Sequence, residues 1–294
     1  MTALETRTRP IRGASYRPQH YLMCAPEHFT VEYVINPWMD PGVPVDTARA
    51  VRQWQAVVDR YTELGHTVEL IDPAPGLPDM VYTANGATGV DGRVMVAKFS
   101  HPERAGEEQL HEAWHRAHAA ELGWTEVHRP EHVNEAEGDF LLVGDWVLAG
   151  YGFRTDPRSH AELAEVVGRP VVPLRLVNAW HYHLDTALAV LDDDPAHPDI
   201  AWYPAAFSAA SQQVVRRLFP DALEVSERDA RKLGLNMVSD GHHVLHPADA
   251  TGVADALRDR GYEPIGMDLD ELLKGGGSLK CCTQRLLGPG APTR

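Results

Sequence analysis

Five polar stretches of the 294-residue sequence carry side chains able to do covalent chemistry. "LLKGGGSLKCCTQRL" sets Cys281 and Cys282 behind Gly275, Gly276 and Gly277. "WHYHLDTAL" offers His183 and Asp185, and "LPDMVYTANG" offers Asp79 and Asn85. "NEAEGDFLLVGDWVLAGYGFRTD" contributes Glu135, Glu137, Asp139 and Arg154, and "SHPERAGEE" contributes Arg104. A thiolate attacks, an imidazole moves a proton and carboxylates hold positive charge, so the set suits nucleophilic catalysis at a cationic carbon. The glycines would let the backbone approach a substrate closely, and Lys280 brings a cation that favours the thiolate. Taken singly the same residues have blander readings. Cys24 and Cys282 read as small buried hydrophobes, Asp79 and Asp185 also suit turns or caps, and His181 reads as structural.

The elements that must hold these residues are legible in the apolar pattern. "YLMCAP" reads as a short buried strand. In "DTARAVRQWQAVVDRYTELG", Val51, Trp54, Val58, Tyr61 and Leu64 recur at helical spacing, and Gly65 stands where a helix would stop. "GATGVDGRVMVAKF", "DFLLVGDWVLAGYG" and "LNMVSDGHHVLHP" each place two apolar runs around Asp-Gly or Gly-Asp, which predicts tight hairpins. Helical stretches are expected over 103–122, 157–168, 208–218, 226–233 and 249–260. Hairpin, helix and strand thus recur in one α/β domain of similar units. We expect a flexible tail over 1–18 and a single domain over 19–290.

In order along the chain, Asp79 in "PD", "GYGFRTD", "HLD" and the terminal "GG…CCT" resemble the guanidino-group-modifying enzymes of the pentein superfamily. These include dimethylargininases, arginine deiminases, arginine dihydrolases and amidinotransferases, and the pattern is nearest to dimethylargininase and ornithine-forming arginine dihydrolase. The resemblance runs from "YLMCAP" to "CCTQRL". It implies a five-bladed α/β propeller of ββαβ units around the active site. It also implies that Cys281 is the nucleophile of a Cys-x-Ser/Thr motif and His183 the proton shuttle. Asp79 and Asp185 would hold the guanidinium, and Arg104 and Arg154 would grip the α-carboxylate. The acidic motif "EAEGD" is one residue longer than the family's Glu-Gly-Gly-Asp, so Glu135 or Glu137 serves as the catalytic acid, with Glu135 preferred. Asn85 stands where the family usually has Asp, as in the arginine-dihydrolase variant; a neutral amide there would retain a citrulline-like intermediate. The implied reaction is hydrolysis of arginine or an Nω-methylated arginine through a thiouronium on Cys281, without metal or cofactor. The alternative is an amidinotransferase that passes the amidino group to an amine.

Composition narrows the field further. Lys+Arg is 27 against 42 Asp+Glu, a net charge of -15, which disfavours nucleic acid as a partner. With no apolar run long enough to span a membrane and no apolar signal core at the start, a cytoplasmic protein acting on a small molecule is expected. Three cysteines, two of them adjacent, fit a reducing compartment. A homo-oligomer is compatible with all of this. "HEAWH" matches the zinc-protease pattern at His111 and His115. The competing reading places those imidazoles on the wet face of an amphipathic helix whose other face carries Leu110, Trp114, Ala117 and Leu122.

Overall fold

In the computed structural model, which describes residues 12–289, the loose periodicity of the sequence resolves into five copies of one unit. The chain enters through β1 (His20–Met23), crosses over by α1 (Thr47–Glu63) and returns in β2 (Thr67–Leu70), parallel to β1. The second unit is the hairpin β3 (Ala87–Val90) and β4 (Arg93–Val96), then α2 (Glu107–His118) and β5 (Glu126–His128). The third is β6 (Phe140–Val143), β7 (Trp146–Tyr151), α3 (Ser159–Val167) and β8 (Val171–Arg175). The fourth is β9 (Leu188–Asp192), β10 (Asp199–Trp202), α4 (Ala209–Leu218) and β11 (Leu223–Glu224), followed by the short α5 (Glu227–Ala230). The fifth is β12 (Val238–Ser239), β13 (His243–Pro247), α6 (Thr251–Asp259) and β14 (Glu263–Met267). After α7 (Asp270–Leu273), β15 (Gln284–Arg285) returns to pair antiparallel with β1. Each three-stranded sheet therefore has a middle strand flanked by an antiparallel and a parallel neighbour. The C-terminal strand supplies the piece that the first unit lacks, closing a five-bladed α/β propeller.

Local chemistry explains the elements. Asp46 caps α1 by accepting the Arg49 N–H at 2.9 Å, and Gly65 leaves the helix at φ 82°. The buried stripe of α1 is Ala50, Trp54, Val57 and Tyr61. It is rotated slightly from the expected one, and Val51 lies off its centre. The hairpin of the second unit turns on Asp91 and Gly92, both at positive φ (50° and 78°), as a two-residue turn demands. The hairpin of β9 and β10 has no Asp-Gly; its longer "DDPAHP" connection hid it from the sequence pattern.

The first strand of every unit faces the middle of the ring. Together Thr88–Val90, Phe140–Leu142, Leu188–Val190, Met237–Ser239 and Thr283, Arg285 and Leu287 line a central channel. Glu137 and Lys280 also line it, paired at 2.8 Å. The blades pack on one another outside the channel, for example through Leu148, Leu174, Leu188, Trp202 and Phe207.

Of the expected tail, residues 1–11 lie outside the described residues. The rest is no loose tail: Arg12 pairs with Asp199 and Arg17 with Asp192 and Asp193, and the Arg17 N–H donates to the Asp240 carbonyl at 2.9 Å. Among the described residues no helix is long and apolar enough to cross a membrane.

Gly92 has no room for a side chain, because a Cβ there would lie 2.8 Å from Pro289 Cγ at a φ of +78°. Gly92→Val should therefore cost about 1–3 kcal/mol, read as a lower midpoint in urea unfolding with the slope unchanged.

Candidate active site

The segments that lead into the first strand of each unit converge at one end of the ring. Asp79 and Asn85 precede β3, Glu135 precedes β6, His183 and Asp185 precede β9, and Cys281 precedes β15. Several of these lead-ins are single 3-10 turns, Thr83–Asn85, Ala136–Gly138 and Leu184–Thr186, so the side chains stand on short rigid stubs of the sheets.

The Cys281 thiol donates to Asp185 Oδ2 at 3.3 Å. Burial pushes it well above its ordinary range, and the Asp185 charge adds to this. Asp185 is itself pushed up to about 7 by burial, against the pull of Lys280. His183 donates from Nε2 to Glu135 Oε2 at 2.7 Å. Glu135 also accepts from Arg154 Nη1 at 2.9 Å and from Ser100 Oγ at 2.9 Å. Burial alone would raise Glu135, but Arg154 and His183 outweigh it and hold the carboxyl well below the usual range. With Nε2–H committed to Glu135, a neutral His183 carries its lone pair on Nδ1. That nitrogen, Asp79 Oδ1 and Asp185 Oδ1 are buried without a protein partner. Asp79 is shifted up by burial, and its Oδ2 accepts from Tyr33 at 2.9 Å.

The two candidate acids part company at Ala136, whose φ of 47° is unusual for a residue with a Cβ. Glu135 turns to His183 and Arg154, while Glu137 accepts from Lys280 Nζ at 2.8 Å and the Arg285 N–H at 3.1 Å. Lys280 thus points to Glu137 rather than to the sulfur. One further expectation needs correction, and the two expected arginines already have protein partners. Gly275 and Gly277 make room for protein, not substrate: a Cβ on either would lie 2.3 Å from Tyr82. Arg104 does not stand free for a carboxylate; it grips Glu107 through Nε and Nη2 at 2.8 and 2.7 Å and donates to Asn85 Oδ1 at 2.7 Å. Arg154 is likewise committed, to Glu135 and to the Ile35 carbonyl at 2.8 Å.

The "HEAWH" imidazoles are overturned in both readings. His111 and His115 form the buried face of α2, not the wet one. His115 spends Nδ1 on the His111 carbonyl and Nε2 on Gln284, and burial lowers His111 to about 3. His111 fits there because Gly86 has no Cβ, which would sit 2.1 Å from its Nδ1. Among the described residues the group that could gather three ligand atoms is elsewhere, at His242, His243 and Glu263.

Glu137 apart, the eight expected site residues are no more than 5 % exposed, and the segment between β1 and α1 folds against the set. Tyr33 reaches Asp79, Asn36 Nδ2 donates to the Gly275 carbonyl at 3.0 Å, and Trp38 Nε1 donates to the Trp180 carbonyl at 3.0 Å. No sequence signal marks Tyr33 or Asn36, whose contacts appear only when the loop meets the other blades.

A five-unit ring with a cysteine, an imidazole and carboxylates at its centre defines a pentein. Comparison with known proteins makes the family definite. The family described as "N,N dimethylarginine dimethylhydrolase, eukaryotic" matches residues 34–287. The N(G),N(G)-dimethylarginine dimethylaminohydrolase of Mycobacterium tuberculosis is 54% identical over 91% of this chain and 85% of its own. The bifunctional arginine dihydrolase/ornithine cyclodeaminase ArgZ of Synechocystis is 36% identical over 92% of this chain, which spans 38% of that longer protein. An asparagine-to-serine variant of the ArgZ N-terminal domain, covalently bound to a reaction intermediate, superposes with a TM-score of 0.85 at 35% identity, covering 93% of this chain and 100% of that one. The chain belongs to the dimethylarginine dimethylaminohydrolase family.

Glu135→Gln leaves the buried Arg154 cation without its counter-charge, so the variant should lose about 3–5 kcal/mol of stability. Urea unfolding should recover much of that loss when Arg154→Met is added. A second expectation concerns the thiol. With its folded value raised, iodoacetamide should modify Cys281 slowly near neutrality, at a rate still climbing above the ordinary 9.0. A plateau between pH 6 and 8 would contradict this.

Proposed function

We propose that this protein is a cytoplasmic hydrolase of the guanidino group of L-arginine or an Nω-methylated arginine, working through a covalent thiouronium on Cys281. The observation that carries the reading is the convergence of Cys281 with buried carboxylate oxygens that lack a protein partner, Asp79 Oδ1 and Asp185 Oδ1. A guanidinium supplies N–H donors and positive charge to both. Its charge also offsets the burial that raises the thiol, so the thiolate forms where the substrate sits. Three buried free cysteines fit a reducing compartment.

The Cys281 thiol gives its proton to His183 Nδ1 and the thiolate attacks the guanidinium carbon; His183 then passes that proton to the departing ammonia or methylamine. Water then adds to the thiouronium as His183 Nδ1 takes one of its protons, and the C–S bond breaks as the sulfur takes up the other, releasing citrulline and the Cys281 thiol. Glu135 stabilises His183 when it is charged. The α-carboxylate falls to Arg104 and Arg154. Each would exchange a bond to a backbone carbonyl, of Asp79 or Ile35, for a bond to the substrate.

Asn85 favours a second round. Arg104 holds Oδ1, so the amide's NH₂ faces away from Arg104, with only a long 3.5 Å bond to the Glu135 carbonyl. An NH₂ donor suits the oxygen of a neutral ureido group and offers nothing to a guanidinium. Citrulline held there would be attacked again, so that arginine and two waters give ornithine, carbon dioxide and two ammonia. The dimethylargininase reading is favoured instead by the identity to the mycobacterial relative.

The test is product analysis by mass spectrometry with L-arginine and asymmetric dimethylarginine. Ornithine with two ammonia from arginine is expected, and Asn85→Ser should stop the reaction at citrulline or at a covalent adduct. Unchanged ornithine from that variant would remove Asn85 from the mechanism. Dimethylamine and citrulline from the methylated substrate alone would select dimethylargininase, and turnover only with an added amine would select an amidinotransferase.

A further inference from the structure

Four of the five units deliver a chemistry-bearing side chain from the segment just ahead of their first strand. Asn85 stands two residues before β3, Asp185 three before β9 and Cys281 three before β15, with Glu135 in the same segment before β6. The fifth unit has its own residue at this place. Asn236 lies two residues before β12 and is fully buried.

All of its amide is in use, and every bond goes to the nucleophile, its loop or its neighbour. Nδ2 donates to Cys281 Sγ at 3.0 Å and to the Asp185 carbonyl at 3.2 Å. Oδ1 accepts the N–H groups of Cys281 and Ser278, both at 3.1 Å. The Asn236 carbonyl accepts the Lys280 N–H at 3.4 Å. A backbone departure accompanies this placement. Among the described residues Asp91, Ala136 and Leu233 have positive φ without being glycine. Asp91 belongs to a hairpin, Ala136 follows Glu135, and Leu233 lies just ahead of Asn236, accepting the Asn236 N–H at 2.8 Å. A bulky residue kept in a left-handed conformation marks a segment held in place against its own preference.

We propose that Asn236 is a positioning residue that aims the Cys281 sulfur and stabilises it as a thiolate through the N–H···S hydrogen bond. The amide is suited to this because it donates to sulfur without carrying a charge. A carboxylate in its place would repel the thiolate, and an apolar group would leave the thiolate buried without a donor. The bond to the Asp185 carbonyl also fixes the nucleophile relative to the turn that carries the guanidinium-binding carboxylate. This rests on Cys281 being the nucleophile, but not on which guanidino compound is the substrate.

The test reads the sulfur directly. Asn236→Asp keeps an acceptor for the two loop N–H groups and nearly the same shape, yet replaces the donor on Sγ by an oxygen. Modification of Cys281 by iodoacetamide is followed across pH 6–11, with the adduct located by fragment-ion mass spectrometry. In Asn236→Asp and Asn236→Ala the midpoint of the rate profile should rise by about one pH unit or more. The effect on arginine should be a kcat lower by about 10–100-fold with KM changed less than about threefold. An unmoved midpoint in either folded variant overturns the proposal, even where kcat or thermal stability falls, since that pattern marks a merely structural residue. Should Asn236→Ala fold poorly, Asn236→Ser takes its place under the same criterion. Alkylation requires no substrate, so a protein inactive on arginine would count against the functional reading and leave this test intact.

Discussion

The pairing of Tyr21 and Leu22 with Arg285 and Gln284 closes the ring, and the chemistry depends on it. β15 is only two residues long, yet among the described residues it is the sole antiparallel partner of β1. The nucleophile sits just upstream of it, so the contact that completes the fold also fixes the cysteine. The Ala84 N–H donates to the Cys281 carbonyl at 3.0 Å, tying that closing segment to the second blade. Non-local contacts of this kind form late and cost loop entropy, but once made they place Cys281 among turns from all the other blades.

Placing so much charge in the middle of a ring is unfavourable unless each group is compensated. Glu107 and Arg104, Glu135 and Arg154, and Glu137 and Lys280 are three buried or half-buried pairs. The first two pairs border the candidate active site, and the third stands in the wall at the middle of the ring. Arg104 fixes Asn85 while Glu107 neutralises Arg104. Arg154 lowers Glu135, and Glu135 then dictates which nitrogen of His183 carries the lone pair. Asp79 and Asp185 lack such partners and are shifted up by burial. The difference separates groups already satisfied by the protein from those left to meet a cation.

The repeated unit was legible because its signals are local. Asp-Gly hairpins, the capped amphipathic α1 and the spacing of apolar runs report on neighbours in sequence. The site was legible through motif residues, and Cys281, His183, Asp185, Asp79, Asn85 and Glu135 do come together. What escaped depends on distant blades. Asn236 lay inside a segment that reads only as a hairpin, and Tyr33 and Asn36 lay in a loop with no periodicity. His111 and His115 looked wet because an imidazole is polar. The absence of a side chain at Gly86, a residue remote from them in sequence, is what makes room for His111. The protein carboxylates that hold Arg104 and Arg154 escaped similarly, since a buried arginine is recognisable only with its carboxylate in view.

The loop between β1 and α1 links these features. Its hold on the site consists of a few hydrogen bonds, Tyr33 to Asp79, Asn36 to the Gly275 carbonyl, Arg154 to the Ile35 carbonyl and Trp38 to Trp180, while Val34 stays 62 % exposed. Each such bond is worth about 0.5–1.5 kcal/mol net, so parting the loop is modest beside unfolding a blade. On the proposed reading, the atoms it touches are the ones a zwitterionic amino acid would use. Asp79 would exchange the Tyr33 hydroxyl for a guanidinium N–H, and Arg154 would exchange a carbonyl for a carboxylate. In both exchanges a neutral partner gives way to a charged one, which strengthens the hydrogen bond in a dry site. On that reading, a loop that covers the site through the substrate's own binding groups would yield to the substrate.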